Sequence, residues 1–375
     1  MMAWLVLALV AFWAGATLLH LLSLGLAAAY YTHWCRQPLA LPKPGRVSLV
    51  RPVCGAGANV AEALRTGFHL DHPDYEQVFC AHDPGDPAVE LVRELLAAYP
   101  HCDARLLIGN EVINGNPKLN NLLKSWNFLT GEWAIFSDDN VLLPVQLVAD
   151  LQSQWRPSTG AVSSIQIGTR PEGFWSEIEC AYLNPFQARW YLAAASAGAG
   201  FASGKTMMVR RADLAAAGGL ESLATEIAED AALTKLVRAS NRSVGVLPCP
   251  LEEPAGVRSA KDVWGRQVRW ARIRRECFPY VFVFEVFAGG LFPLIAVAVA
   301  AHSYGYSMSS AVLAQCLLWY GAELAFLSCV GWHLSTSSLP AALVRDLMLP
   351  VQWILAWRSG PIVWRGRPVY GGAAS

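Results

Sequence analysis

The chain has 375 residues, 54% of them hydrophobic and only 15% charged, and its formal net charge is zero. Soluble domains carry about a quarter charged residues, so this is a membrane-protein composition with enough length for one large folded domain besides its apolar segments. Zero net charge leaves no global field to attract nucleic acid, and the few basic residues matter through their positions.

The nine cysteines contain no CxxC pair, and they imply neither an oxidising compartment nor a metal site. His69, His72 and His82 lie near one another without cysteine partners, and read as polar surface rather than as zinc ligands.

No formally charged residue occurs from Met1 to Cys35, and Ala3 to Tyr31 is almost continuously apolar. That exceeds the roughly 20 residues a bilayer crossing needs. With no basic start and too long an apolar core for a cleaved signal peptide, residues 1–35 read as a retained transmembrane anchor. His33, Arg36, Lys43 and Arg46 follow, so the positive-inside rule puts the next domain in the cytoplasm.

Residues 47–255 alternate strand and helix patterns. Val47 to Val53 is a strand running into Pro52 and the Gly55-Ala56-Gly57 turn, and Val60 to Phe68 fits a short helix. Tyr75 to His82 is a second strand, delivered into Asp83-Pro84-Gly85-Asp86-Pro87. Ala88 to Tyr99 has helical spacing, Asp103 to Ile108 is a third strand, and Lys118 to Leu129 is a third helix. The apolar run Trp133 to Phe136 is a fourth strand, ending at Ser137-Asp138-Asp139-Asn140. This is a doubly wound α/β pattern. Gly55-Ala56-Gly57 lacks the spacing of a dinucleotide fingerprint, and the chain has no GxxxxGK[ST]. Further on, Gly160 to Ser164 and Thr206 to Arg210 read as strands, Arg211 to Ala217 as a short helix, and Ala231 to Leu236 as a helix entered through Glu229-Asp230.

After Pro254, seven basic residues from Arg258 to Arg275 are interleaved with Val263, Trp264, Val268, Trp270 and Ile273, so residues 256–280 read as an interfacial helix with a cationic side. Within 281–332, spans are expected at about 284–301 and 309–330, joined by an uncharged loop. The apolar piece from Leu339 to Trp357 contains Arg345 and Asp346 and precedes Arg358, Arg365 and Arg367. A full span would put that basic tail outside, so residues 339–375 are expected to form a re-entrant or surface-lying segment with a cytoplasmic tail, and Arg345 and Asp346 could line a lipid entry groove.

Two acids and an amide at the carboxyl end of a buried strand offer hard oxygens to a divalent cation that carries phosphates, although a polar turn would use the same residues. Transfer of a sugar from a nucleotide needs a cation and basic side chains for the diphosphate, a carboxylate base for the acceptor, and exclusion of water. Asp138, Asp139 and Asn140 could hold the metal, Asp230 or Glu229 could be the base, and a segment bearing Trp270 could cover the donor. In a helix Arg266, Arg269 and Trp270 share a face, which suits phosphates and equally suits lipid headgroups.

Taken in order, Asp83, Asp138, Asp230 and the Arg266-Gln267-Val268-Arg269-Trp270 stretch match three spaced aspartates followed by [QR]xxRW. With the Asn116-Pro117-Lys118-Leu119-Asn120-Asn121-Leu122 block, they resemble the membrane-bound ceramide glucosyltransferases, family 21 of the inverting GT-A-type glycosyltransferases, over nearly the whole chain. The resemblance implies a GT-A catalytic domain between amino- and carboxyl-terminal transmembrane helices, in a multi-pass protein of a bacterial inner membrane, with no obligate protein partner. It implies that glucose moves from UDP-glucose to the primary hydroxyl of ceramide with a divalent cation, Mn2+ or Mg2+. Pro52 and Asp83 would border the uridine, Lys118 would belong to the donor segment, Asp138 would bind metal and diphosphate, Asp230 would be the base, and Arg266, Gln267, Arg269 and Trp270 would hold the diphosphate. Asp138-Asp139-Asn140 departs from a strict DxD, and alanine rather than an aromatic residue follows Glu229-Asp230. Another UDP-sugar (galactose, glucuronate, N-acetylglucosamine) or another lipid (diacylglycerol, a hopanoid, a polyprenyl phosphate) would use the same motifs. A non-catalytic scaffold or a transporter is disfavoured by the complete acid and arginine set and by the absence of paired inverted repeats.

Overall fold

A computed structural model of the chain describes residues 2–35, 45–57, 59–109, 111–358, 360, 362–364 and 367–369. Arg36, Lys43 and Arg365, which entered the reading of membrane orientation, lie outside the described residues. The elements run α1 (Met2–Trp34), β1 (Val47–Pro52), α2 (Val60–Thr66), β2 (Tyr75–Ala81), α3 (Pro87–Ala98), β3 (Ala104–Ile108), α4 (Pro117–Leu123) and β4 (Trp133–Ser137). They continue with α5 (Leu147–Ser153), β5 (Thr159–Ser164), β6 (Gln166–Glu172), α6 (Phe174–Tyr182), α7 (Arg189–Ser196), β7 (Thr206–Arg210), α8 (Arg211–Ala216), α9 (Glu229–Ala239), β8 (Ser243–Val246) and β9 (Leu251–Val257). Then come α10 (Ala260–Cys277), α11 (Pro279–Glu285), α12 (Leu291–Ser303), α13 (Met308–Val330) and α14 (Ser338–Ala356), and last the antiparallel pair β10 (Ile362–Trp364) and β11 (Arg367–Val369). The chain divides into two compact units, one of residues 1–33, 168–193 and 257–359, the other of 34–167, 194–256 and 360–375.

The second unit is built on a mixed sheet whose described strands lie in the order β3-β2-β1-β4-β7-β5-β8. β1 pairs parallel with both β2 and β4, while β7 runs antiparallel to β4 and β5. Every residue of β1 and β4 is buried, which is why both read as near-continuous apolar runs. Alternate side chains serve opposite faces, as the two-residue period of a strand requires. Val50, Val78, Cys80, Ala134 and Phe136 pack with Leu119 and Leu122 of α4 and Leu233 and Val237 of α9. On the other face Leu49, Trp133 and Ile135 pack with Leu147 and Leu151 of α5, and Phe79 and Ala81 with Leu64 of α2 and Val92 of α3. Within this unit Cys35 is disulfide-bonded to Cys249, a pairing that cysteine spacing alone did not suggest.

The first unit holds the apolar helices. Ala3–Trp34, Met308–Val330 and Ser338–Ala356 are, among the described residues, the helices long and apolar enough to cross a membrane. The stretch expected as a span at 284–301 is broken between the end of α11 and the 13-residue α12, which at 1.5 Å per residue is shorter than a bilayer core. The stretch expected to lie at the surface is α14, a continuous helix of 19 residues with Pro350 inside it.

Arg345 and Asp346 do not line an open groove, for they are 0% and 2% exposed. The Arg345 guanidinium makes a two-pronged pair with Glu323 of α13 at 3.0 and 3.1 Å, and its Nε donates to Asp346 at 2.8 Å. Asp346 also accepts from the Gly290 N–H at 2.6 Å and the Tyr320 hydroxyl at 2.9 Å. A Cβ at Gly290 would stand 2.9 Å from that hydroxyl, so the approach needs glycine. Charges in an apolar helix persist where they face protein and find partners, as these do. On α1, Trp13 Nε1 donates to Gln315 at 2.9 Å and His20 stacks on Trp319, polar anchors within a mostly apolar helix.

Candidate active site

In an open α/β sheet ligands bind beyond the carboxyl ends of the strands, where the strand order reverses. That point lies between β1, whose other neighbour is β2, and β4. The loops leaving these strands are tied together there. Val53 N donates to Cys80 O at 2.9 Å, Cys54 N to Asp139 Oδ2 at 3.2 Å, and Gly55 N to Asp86 Oδ1 at 2.7 Å. Asp86 also caps α3 through the Ala88 N–H. Arg51, fully buried, donates to the carbonyls of Ala63, Asp138 and Val141, so it pins the loop after β4 to α2. Burial pushes its pKa down to about 10, although Asp139 and Asp138 favour the charged form.

Asp138 follows β4 directly. Its two oxygens meet two lysines: Lys118 Nζ lies 2.7 Å from Oδ1 and Lys205 Nζ 3.2 Å from Oδ2. Lys118 opens α4, where the Asn116 side chain caps the helix by accepting from Lys118 N and Leu119 N, and Pro117 fills the first helical position. The Lys118 ammonium is buried against Glu229 Oε1 at 2.7 Å and donates to the Gly204 carbonyl. Asn116 Nδ2 holds the other Glu229 oxygen at 2.8 Å. Gly204 N in turn donates to Asp230 Oδ2 at 2.7 Å, and Ala231 N donates to Asp230 Oδ1 at 2.7 Å. A Cβ on Gly204 would stand 2.9 Å from Glu229 Oε1 and 3.0 Å from Lys118 Nζ. One lysine and one glycine peptide therefore bring Asp138 and Asp230 to the same place.

The two aspartates differ electrostatically. Burial alone would raise the Asp138 carboxyl, but Lys118 and Lys205 beside it more than offset that and hold it below the usual range. Asp230 is pushed up to about 6, first by burial and then by the neighbouring Glu229, against the pull of Lys118 and two backbone N–H groups. A carboxyl poised near neutrality suits general-base work.

Lys205 owes its place to register: antiparallel pairing sets Ser137 opposite Thr206, and Asp138 N donates to Lys205 O at 3.1 Å. Its ammonium gathers three hard oxygens, Asp138 Oδ2, Asn140 Oδ1 at 3.0 Å and Glu253 Oε2 at 3.0 Å. Asn140 Nδ2 donates to the other Glu253 oxygen at 3.1 Å. This donor set fits a hard divalent cation, since oxygens converge on a single cationic point. Among the described residues no three His, Cys, Asp or Glu side chains gather as a ready metal site, and the set reaches three oxygens through Asn140. Asp139, the other expected ligand, presents Oδ2 to the Cys54 N–H.

Pro52 is buried at the end of β1, in register with Cys80. Asp83 is exposed beyond β2 and accepts from Gly85 N at 2.9 Å. Arg266, Gln267, Arg269 and Trp270 belong to the other unit and lie on α10, whose Ser259-Asp262 capping box fixes its start. The Arg266 guanidinium lies 4.3 Å over the Trp270 ring, as a spacing of four on a helix requires, and pairs with Glu179 at 3.0 Å. Gln267 is buried, donating to Glu179 at 3.4 Å and accepting from Gln187 at 3.1 Å. Sequence reasoning overlooked Arg51, Glu179, Lys205 and Glu253. None of the four stood in a motif, and Lys205 merely precedes the strand expected from Thr206 to Arg210.

The profile described as Glycosyl transferase family 21 matches residues 6–370. Ceramide glucosyltransferase 3 of Caenorhabditis elegans is 24% identical over 358 residues, covering 93% of this chain and 77% of that protein. Ceramide glucosyltransferase 1 of the same organism is 25% identical over 244 residues, 64% of this chain, and the chain spans 52% of that relative. Among solved structures, the mannosyltransferase PcManGT of Pyrobaculum calidifontis, in complex with GDP-Man and Mn2+, superposes with a TM-score of 0.56 at 19% identity, over 92% of this chain and 99% of that one. At that identity the likeness is one of fold, and the shared fold is the GT-A-like mixed α/β architecture.

Proposed function

We propose that this chain, which belongs to glycosyl transferase family 21, moves glucose from UDP-glucose to the primary hydroxyl of ceramide. The reading is supported above all by the convergence of Asp138 and Asp230 on the Lys118–Gly204 pair. The ceramide glucosyltransferase relatives support the lipid acceptor, and the helices long enough to cross a membrane suit an acceptor whose tails stay in lipid. Catalysis at the cytoplasmic surface of a bacterial inner membrane, where UDP-sugars are soluble, belongs to the same proposal.

Asp138 and Asn140, with Asp139 beside them, hold the divalent cation, Mn2+ or Mg2+, in this reading. When bound it neutralises charge that grows on the diphosphate as the glycosidic bond breaks. Pro52 and Asp83 border the uridine, and Lys118 orients Asp138 toward the donor. Arg266, Gln267, Arg269 and Trp270 stay in the proposal as diphosphate-binding residues on the strength of their motif.

Asp230, rather than Glu229, is the base. Both Glu229 oxygens are engaged by Lys118 and Asn116, whereas the raised pKa of Asp230 matches a proton acceptor. Its carboxylate takes the proton from the lipid hydroxyl as that oxygen attacks the anomeric carbon from the face opposite UDP. The carbon–oxygen bond to UDP breaks with its electron pair leaving on the diphosphate, and the α-linked sugar becomes a β-glycoside.

The deciding experiment compares wild type and Asp230→Asn in purified form. Transfer from UDP-glucose to ceramide should fall at least about a thousand-fold, in line with loss of a general base, while UDP binding changes by no more than a few fold. Near wild-type turnover in the variant would remove Asp230 from the role. Offering UDP-galactose, UDP-glucuronate and UDP-N-acetylglucosamine against ceramide and diacylglycerol tests the substrates, and product on diacylglycerol but never on ceramide would overturn the acceptor.

A further inference from the structure

The two lysines at Asp138 do different work. Lys118 is a strut whose ammonium is shared among two carboxylates and a peptide carbonyl. Lys205 instead sits among two carboxylates and an amide oxygen, all ligand types that Mg2+ or Mn2+ takes at about 2.1 Å, and it holds them at 3.0 to 3.2 Å. Its side chain is 10% exposed, and that of Glu253 only 1%. Glu253 reaches the spot from β9 and is fixed to Asn140, so it is part of a built arrangement rather than a passing surface pair. An ammonium and a divalent ion cannot share such a point, because like charges a few ångströms apart in a poorly screened interior repel strongly.

We propose that Lys205 is a tethered counter-ion of the donor site: it occupies the position of the divalent cation between Asp138, Asn140 and Glu253, keeps these ligands in place, and gives way when the ion arrives. The inference rests on the glycosyl-transfer reading only in taking the ion to be that of the donor site. It adds two assignments, Glu253 as an oxygen ligand and Lys205 as the residue that sets cation affinity. It also makes cation and donor load together. The displaced ammonium needs a new anionic partner, and the diphosphate is one, so the protein binds the ion weakly alone and more tightly with UDP.

The test is Mn2+ binding to the purified full-length protein, followed by calorimetry and by loss of the free-ion electron paramagnetic resonance signal. Lys205→Met keeps the bulk and removes the charge, and should bind Mn2+ at least ten-fold tighter than wild type without nucleotide, whereas Lys205→Arg should not. Adding Glu253→Gln to Lys205→Met should reverse most of that gain. With UDP present, wild-type affinity should rise at least ten-fold and that of Lys205→Met by clearly less. If Lys205→Met does not fold, Lys205→Gln serves the same comparison. Equal Mn2+ affinity in wild type and the neutral variant overturns the proposal, and so does failure of both to bind. Tighter binding by the neutral variant, with no glycosyl transfer by wild type to any lipid tested, would keep the Lys205 assignment and sink the glycosyltransferase reading. Transfer by wild type with unchanged Mn2+ affinities would do the reverse.

Discussion

Asp230 and Glu229 are adjacent acids with opposite fates, and the difference comes from what each one faces. Glu229 spends its charge on Lys118 and Asn116, and its field raises the Asp230 carboxyl, already raised by burial. A base must be ionised to act, so kcat/KM should fall about ten-fold per pH unit below an acid limb near 6. Glu229→Gln removes the like charge and should move that limb to lower pH, which a pH–rate profile on both forms would register. A limb that stays put in the variant would mean that the titrating group is not Asp230. The spaced acids were legible in the sequence because each stands in a motif with its own local context. Lys205 and Glu253 were not, because nothing near them in the chain says that β7 and β9 deliver them to Asp138.

At the scale of the element, α4 is a seven-residue helix whose start carries much of the site. The Asn116 cap holds two N–H groups and also Glu229, so Asn116→Ala should cost about 1 kcal/mol from the lost cap and somewhat more from the released carboxylate. Thermal unfolding in detergent would measure it, and an unchanged midpoint would argue against the cap. The strands were readable because β1, β2 and β4 are buried on both faces and mostly apolar, and α3 because its apolar residues recur at helical spacing. The helix expected over 118–129 stops at Leu123 and resumes as a 3-10 turn at Trp126–Phe128. Strands β8 and β9 escaped notice since β8 has only four residues, β9 carries two Glu, a Pro and a Gly, and both acquire strand geometry from neighbours distant in sequence.

For the whole molecule, the membrane-type unit raises the question of how a helix with an arginine and an aspartate side by side stays inside an apolar bundle. Glu323 answers Arg345, and the Gly290 N–H and the Tyr320 hydroxyl answer Asp346. Breaking such a buried set leaves carboxylates uncompensated, so Arg345→Met should destabilise the protein by about 3–5 kcal/mol. Melting of wild type and variant in the same detergent checks this, and a loss below about 1 kcal/mol would mean that solvent reaches the cluster. The long amino-terminal apolar helix was legible because apolarity and length are properties of the chain itself. Helix α14, expected as a re-entrant or surface-lying segment, is one continuous helix long and apolar enough to cross a membrane, and its formal charges counted against a span only while their partners were unknown.

Composition, strand and helix periods and the ordered motifs of acids and arginines determined from the sequence that this is a membrane-associated α/β glycosyltransferase of family 21. They did so because those signals are local, written within a few turns or strand lengths of chain. Tertiary structure alone decided which charge meets which: Lys118 and Lys205 on either side of Asp138, Glu253 on Lys205, Glu323 on Arg345. Such pairings depend on strand register and helix packing between segments far apart in the chain, and no local pattern encodes a distance of 3 Å.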